Sequence, residues 1–213
     1  MPLARVELQD KKPRRLQFLK RGLDVVLAFL GILVLSPLFL VLPLVICMQS
    51  KGPVLFHRRV LGKDDVPFFA LKFRTMVQDA DRLLENDTNL MREFLVRFKL
   101  MKDPRITKAG YFLRKYSLDE IPQLINVLTG RMSLVGPRIL TGHELERYGD
   151  FRKKVLSVRP GLTGLWQISG RQEIPFEGRV KLDIQYVDHW SLWLDMIIMI
   201  KTLPVVLKGT GAY

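Results

Sequence analysis

Between Leu23 and Met48 the sequence carries one charged side chain, Asp24, in an otherwise apolar run. Such a run needs either a large protein core or a lipid phase around it. A helix needs about 20 mostly apolar residues to cross the hydrocarbon of a bilayer, so the length suffices for membrane entry. A cleaved signal peptide is also basic and then apolar, but its apolar core is about 7–15 residues and ends at small residues. Val45-Ile46-Cys47-Met48-Gln49 offers no such site.

The flanks complicate a simple crossing. Lys11, Lys12, Arg14, Arg15, Lys20 and Arg21 precede the run, and Lys51, Arg58, Arg59 and Lys63 follow it. Positive charge marks the cytoplasmic side, and here it marks both ends. Ser36-Pro37 falls at the middle, with Pro43 beyond; an interior proline removes a helix hydrogen bond and bends the axis. A re-entrant helix-break-helix answers both observations, and a kinked spanning helix answers the proline alone.

Over the whole chain, 213 residues with 48% hydrophobic content make one ordinary domain plus an anchor. A formal net charge of +13 calls for an anionic partner: lipid headgroups, nucleic acid or a phosphorylated substrate. Cys47 is the single cysteine, so no intramolecular disulfide forms, and a thiolate zinc site is not expected. The soluble part reads as cytosolic.

Residues 1–20 read as a basic cytoplasmic arm that anionic lipid attracts, residues 21–50 as the membrane helix, and residues 51–213 as the cytoplasmic domain. The expected class is α/β, helix-rich, with a small β-hairpin. Val54-Leu55-Phe56 and Phe68 to Phe73 are β-prone runs around the turn signal Gly62-Lys63-Asp64-Asp65. Leu83, Leu84, Leu90, Met91, Phe94, Leu95 and Phe98 space an amphipathic helix interrupted near Asn86-Asp87. Tyr111 to Tyr116 is a short element, Ile121 to Leu128 a helix ending at Gly130, and Arg159 to Gly170 a glycine- and proline-rich loop. Trp190-Ser191-Leu192-Trp193-Leu194 opens a C-terminal apolar helix. Asp195, Lys201 and Pro204 make it a poor span, and it suits either the membrane interface or a core.

The chemistry concentrates in Ser117-Leu118-Asp119-Glu120-Ile121-Pro122-Gln123. Ser117-x-x-Glu120 has the form of a capping box. Pro122 would then be the fifth helical residue and would forfeit a bond, whereas a start at Leu118 or Asp119 places it among the first amides, which need no acceptor. Asp119 and Glu120 then sit at a helix mouth, which favours ionised carboxylates and attracts phosphate. Carboxylates beside phosphate need cations between them: Mg²⁺, which takes one or two carboxylates plus phosphate oxygens, and arginines such as Arg114. An inert helix start remains the alternative.

Lys72-Phe73-Arg74-Thr75-Met76, Leu113-Arg114-x-x-Ser117-Leu118-Asp119-Glu120-x-Pro122-Gln123-Leu124-x-Asn126-Val127, Met132 to Arg138, and Arg159-Pro160-Gly161-Leu162-Thr163-Gly164 follow the Ser-Pro-broken helix in order. Together they resemble the bacterial sugar transferases, the monotopic phosphoglycosyl transferases, from about Lys20 to the C-terminus. The resemblance implies transfer of a sugar 1-phosphate, hexose 1-phosphate for the exopolysaccharide or O-antigen type, from a UDP-sugar to polyprenyl (undecaprenyl) phosphate. It implies a covalent phosphosugar intermediate on Asp119, assistance by Glu120, and Mg²⁺ at Asp119 and Glu120. Arg114 and Arg138 match phosphate-binding positions, and Lys72 and Arg74 match a motif placed near the site. Ser36-Pro37 matches the break that makes the anchor re-entrant, on the cytoplasmic face of the bacterial inner membrane among its lipids. The family's Pro-Arg-Pro appears as Pro137-Arg138-Ile139, which keeps the arginine. Larger relatives carry further segments before this region, so a small stand-alone form or a truncation is expected.

His57, His143 and His189 lack metal-ligand spacing and read as surface or core residues. Gly161 and Gly164 read as a turn or as backbone approaching a nucleotide, and Arg171 and Arg179 as solvated surface rather than diphosphate ligands. Nucleic acid is not an expected partner, because no recognised binding motif for it is present. A membrane-tethered basic binding protein and a lipid phosphate phosphatase are the competing readings.

Overall fold

Helix α1, Arg14–Gln49, continues through Pro37 and Pro43 in the computed structural model, which describes residues 13–97, 100 and 103–209. The arm expected over residues 1–20 lies outside the described residues up to residue 12, and its remainder is the start of α1. At 36 residues α1 has a path of about 54 Å, well beyond a hydrocarbon thickness. The missing N–H of Pro37 leaves the Leu33 carbonyl unclaimed by the backbone, and the Ser36 hydroxyl donates to it at 2.8 Å. Most of α1 is exposed apolar surface, with Val34 at 77% and Met48 at 86% exposure.

The two ends of α1 are tied to the same domain. Arg21 donates to the Val127 and Leu128 carbonyls at 2.6 and 2.8 Å, and Asp24 accepts the Leu134 N–H at 3.0 Å. At the other end the Gln49 side chain accepts the Ala109 N–H at 2.8 Å, and Arg74 donates to the Ser50 and Lys51 carbonyls at 2.6 and 2.9 Å. Between them, the Phe39 ring meets Phe73 edge-on at 5.8 Å. Ala28, Leu42 and Ile46 of α1 enter the same core as Phe73, Leu113, Leu124 and Val127.

The expected hairpin forms: β1, Leu55–Leu61, pairs antiparallel with β2, Pro67–Phe73, in the register Leu55 to Phe73. The expected interrupted helix is α2, Ala80–Glu85, and α3, Thr88–Arg97, broken at Asn86-Asp87; Phe98 lies outside the described residues. Thr107 caps α4, Lys108–Lys115, by accepting the Gly110 N–H. One 3-10 turn, Leu118–Glu120, then leads into α5, Gln123–Leu128. α5 lies against β2, where the Asn126 amide accepts the Leu71 N–H and donates to the Phe69 carbonyl, both at 2.9 Å.

Residues 159–170, expected as loop, instead contain β4, Gly161–Thr163, parallel to β3, Ser133–Val135, and α8, Leu165–Ile168. Their glycines are needed for contact: a Cβ on Gly161 would lie 2.1 Å from the Gly136 nitrogen, and one on Gly164 2.2 Å from the Gly136 oxygen. α6, Gly142–Glu146, opens with a complete capping box between Thr141 and Glu144, and α7 is Arg152–Val155. α9, Phe176–His189, had no sequence expectation because its apolar residues are sparse. α10, Leu192–Lys208, packs Asp195 and Ile198 inward, and Trp190 is buried while Trp193 is exposed.

Asn126→Leu fills a similar volume and orphans both β2 backbone groups. It should lower unfolding stability by about 2–4 kcal/mol, read from thermal or denaturant midpoints in detergent, because each orphaned buried group costs about 1–3 kcal/mol. An unchanged midpoint would show that water replaces the amide at no cost.

Candidate active site

The turn Leu118–Glu120 presents two neighbouring carboxylates to one lysine. Ser117, just before it, adopts a left-handed backbone (φ 54°), so its side chain does not cap the helix. The capping box read from Ser117-x-x-Glu120 therefore does not form, and the Ser117 hydroxyl accepts a hydrogen bond from Arg171 instead. The α-helix proper begins at Gln123, with Pro122 at its N-cap, where a missing N–H costs nothing. The expectation that Pro122 displaces the helix start past Ser117 agrees with this geometry.

Lys72, near the end of β2, places its ammonium 2.5 Å from Glu120 Oε1 and 3.8 Å from Asp119 Oδ2. Asp119 is buried and Glu120 partly exposed. Burial pushes the Asp119 carboxyl up to about 6; Lys72 pulls the other way, and the negative Glu120 adds to the rise. The helix-mouth argument anticipated the opposite sign, but α5 spans only Gln123–Leu128 and burial outweighs its end. Burial also works against charge on Glu120. There the Lys72 charge and hydrogen bond, with Arg138 and Arg171, prevail and hold the carboxyl below the usual range. The pair thus divides into one carboxylate firmly ionised and one held near its titration point.

Arginines surround the pair. Arg114, in the last turn of α4, donates from Nε to the Thr75 hydroxyl at 2.8 Å, and its charge favours ionised Asp119. Arg138 follows β3; its backbone N–H reaches Asp183 at 3.3 Å, and its guanidinium lies 4.7 Å from the Trp166 ring. Arg179 stacks on Trp166 at 5.2 Å and donates to the Ile174 carbonyl. Asp183 is also held by the Tyr148 hydroxyl at 2.7 Å, and burial pushes its carboxyl up to about 6.

Of the residues singled out in the sequence, the structure brings together Lys72, Arg114, Asp119, Glu120 and Arg138. Arg74 is elsewhere: its guanidinium is committed to the carbonyls that end α1. Ser36 and Pro37 lie in α1, away from this cluster in the chain. Arg171 and Arg179, read as solvated surface, are half-buried beside the carboxylates and Trp166, respectively. Their signal was tertiary; only the Gly170-Arg171 turn, with φ of 135° and 52°, marks the chain locally. Among the described residues no group of three or more His, Cys, Asp or Glu gathers to form a dedicated metal cage. Two adjacent carboxylates beside arginines fit Mg²⁺ of the other kind, which takes most of its oxygens from phosphate and water.

The bacterial sugar transferase family model matches residues 15–209. An uncharacterized sugar transferase of Haemophilus influenzae is 47% identical over 201 residues, covering 92% of this chain and 42% of that protein. The exopolysaccharide production protein ExoY of Rhizobium meliloti is 43% identical over 198 residues, covering 91% of this chain and 88% of ExoY. The undecaprenyl-phosphate galactose phosphotransferase of Salmonella typhimurium is 44% identical over 204 residues, covering 94% and 43%. The chain thus spans less than half the length of two of these relatives and most of the third, and it belongs to the bacterial sugar transferase family.

A carboxyl raised by burial makes the folded state less favourable as it ionises. The stability that protonated Asp119 supports is present below its ordinary value of 3.8 and is lost as pH rises to about 6. Asp119→Asn removes this titration, so its thermal midpoint should gain on wild type between about pH 4 and about pH 6 and run parallel above. A difference that is flat across that window would refute the raised carboxyl.

Proposed function

We propose that this member of the bacterial sugar transferase family passes a sugar 1-phosphate from a UDP-sugar to undecaprenyl phosphate at the cytoplasmic face of the inner membrane, initiating exopolysaccharide or O-antigen assembly. The observation that carries the reading is a buried Asp119 beside Glu120, Lys72 and three arginines, in a chain similar to proteins named for this transfer.

In the first step an ionised Asp119 oxygen attacks the sugar-bearing phosphorus of the UDP-sugar. The bond to the bridging oxygen breaks, and UMP leaves with the electron pair. In the second step a phosphate oxygen of the lipid attacks the phosphorus of the aspartyl phosphosugar, which frees the Asp119 carboxylate and yields the lipid diphosphate-sugar. Splitting the transfer this way lowers each barrier. Lys72 keeps Asp119 ionisable despite burial and neutralises Glu120. Arg114, Arg138 and Arg171 supply fixed positive charge where phosphoryl oxygens gain negative charge. Mg²⁺ held by Asp119 and Glu120 with phosphate oxygens would add to that charge stabilisation.

The same reading makes α1 re-entrant. Lys20, Arg21 and Asp24 before Ser36-Pro37, and Gln49 and Ser50 after it, bond to one polar domain. A spanning helix would carry one of these sets to the far side of a hydrocarbon layer about 30 Å thick.

Asp119→Asn should reduce UMP release from UDP-sugar and undecaprenyl phosphate by about 10³-fold or more, and mass spectrometry of the wild type should find the phosphosugar on Asp119. UMP release that survives the substitution would overturn the reading, and UMP with free sugar phosphate would assign hydrolysis instead. Lys72→Met, which removes the ammonium that favours ionised Asp119, should move the acidic limb of the rate profile to higher pH. Ser36→Ala with Pro37→Ala returns the missing helix N–H to α1, an interior proline costing about 3 kcal/mol. In inside-out vesicles a protease site at the N-terminus should be cut in the wild type and become protected in a share of this variant. Protection already complete in the wild type would refute re-entry.

A further inference from the structure

Two guanidinium groups meet the ring of Trp166: Arg138 lies 4.7 Å and Arg179 5.2 Å from its centroid. The ring is 3% exposed, and its N–H is buried with no acceptor among the described residues. A buried indole N–H ordinarily finds a partner. Here the ring is held by packing and by the two cations rather than by a hydrogen bond.

The backbone puts the ring there. Gly136 donates to the Thr163 carbonyl at 2.9 Å and Gly161 to the Pro137 carbonyl at 2.8 Å, which lays the start of α8 against the chain that runs into Arg138. Gly164, the N-cap of α8, reaches the Gly136 carbonyl because it has no side chain, and Trp166 follows two residues later. α9 contributes Arg179 and, one turn on, Asp183, which accepts the Arg138 backbone N–H.

Stacking supports the face of a guanidinium and leaves its in-plane N–H donors for other work. Among the described residues nothing accepts a hydrogen bond from the Arg138 guanidinium. The acids whose charge it favours are engaged: Glu144 accepts from Thr141 and Arg58, and Asp183 from the Tyr148 hydroxyl. The two arginines also repel each other, since burial and then the Arg138 charge hold Arg179 below its usual range. Like charges kept at one ring, both half-buried and so within reach of solvent, form a site for an anion from outside.

The carboxylates indicate which anion. Lys72 and Arg114 act on Asp119, whereas Arg138 acts on Glu120, so the ring and its arginines stand a step away from the nucleophile. A diphosphate whose attacked phosphorus lies at Asp119 extends its second phosphate that way. We propose that Trp166 is a positioning residue that holds Arg138 and Arg179 as a clamp for the nucleotide-side phosphate of the UDP-sugar, the group that leaves. When the Asp119 oxygen bonds to the sugar-bearing phosphorus, the bond to the bridging oxygen breaks with its electron pair on UMP. The UMP phosphate passes from one negative charge to two, and the clamp meets the added charge. The identity of the ligand rests on the transfer reading, while the clamp is tested by binding, without turnover.

The experiment measures equilibrium binding of UMP, with uridine as the uncharged control, to the full chain in detergent. Trp166→Leu should weaken UMP at least about tenfold and leave uridine within about twofold, whereas Trp166→Phe, which keeps a ring face, should hold UMP within about threefold. Arg179→Gln, at a half-buried side chain, should show the same selective loss even where Trp166→Leu fails to fold, and Arg179→Lys, a cation without the planar fork, should recover little of it. UMP that binds wild type and Trp166→Leu equally, or does not bind wild type, overturns the clamp. So does a parallel loss of UMP and uridine, the mark of a ring that only fills space. Intact UMP binding with a raised KM for undecaprenyl phosphate overturns it in favour of the lipid phosphate. The expected binding pattern in a chain that releases no UMP from UDP-sugars would strike the transfer reading and support the clamp.

Discussion

Both ends of a long apolar helix are hydrogen-bonded into one polar domain, and the remaining architecture is arranged around that constraint. α1 cannot be withdrawn from water by folding alone: Ala28, Leu42 and Ile46 reach the core, while Leu33, Val34, Leu40 and Met48 do not. Yet Arg21, Asp24 and Gln49 commit side-chain hydrogen bonds to backbone groups of the domain. Such bonds are retained because an unpaired backbone group in a dry place costs a few kcal/mol. Ser36 illustrates the same accounting inside the helix, where its hydroxyl serves the carbonyl that Pro37 cannot.

The second constraint is electrostatic. Two adjacent carboxylates share one ammonium, and the geometry decides which of them gains more: Glu120 at 2.5 Å, Asp119 at 3.8 Å. Glu120 is therefore ionised below the usual range, and its charge, together with burial, raises Asp119. The burial of Asp119 has a structural origin, since the turn that carries it is pinned between β2, which brings Lys72, and the Arg171 contact at Ser117.

The membrane run, the hairpin, the break at Asn86-Asp87 and the displacement of the helix start by Pro122 were legible because each depends on local rules: apolar length, alternation, turn residues and a missing N–H. Asp119, Glu120, Lys72 and Arg138 were legible through motifs. What escaped was set by tertiary contact. The β3–β4 pair is a parallel crossing of short segments separated widely in sequence, and Gly161 and Gly164 look like turn glycines until their approach to Gly136 is seen. Arg171 and Arg179 look like solvated charge because nothing near them in sequence records Ser117 or Trp166. Arg74 shows the converse: a motif arginine two residues from Lys72 whose guanidinium holds the anchor. The sign of the Asp119 shift was also beyond sequence, since helix-end stabilisation can be read from a string and burial cannot.

The anchor and the site share the same few strands of chain. The first arm of α1 holds β3 from both sides of its backbone, Asp24 at the Leu134 N–H and Lys20 at the Val135 carbonyl, and Pro137-Arg138 emerge directly from that strand. The second arm ends on Arg74, whose neighbour Thr75 fixes Arg114 and accepts the Thr107 N–H that opens α4. Gly110 permits this closeness, because a Cβ there would lie 1.9 Å from the Thr75 oxygen. Arg138 and Arg114 are thus positioned by segments bonded to opposite ends of one helix. A change in the path of α1 that moved either end would be transmitted to an arginine through hydrogen bonds and packed backbone, elements that yield little under strain. The path of α1 is therefore a determinant of site geometry.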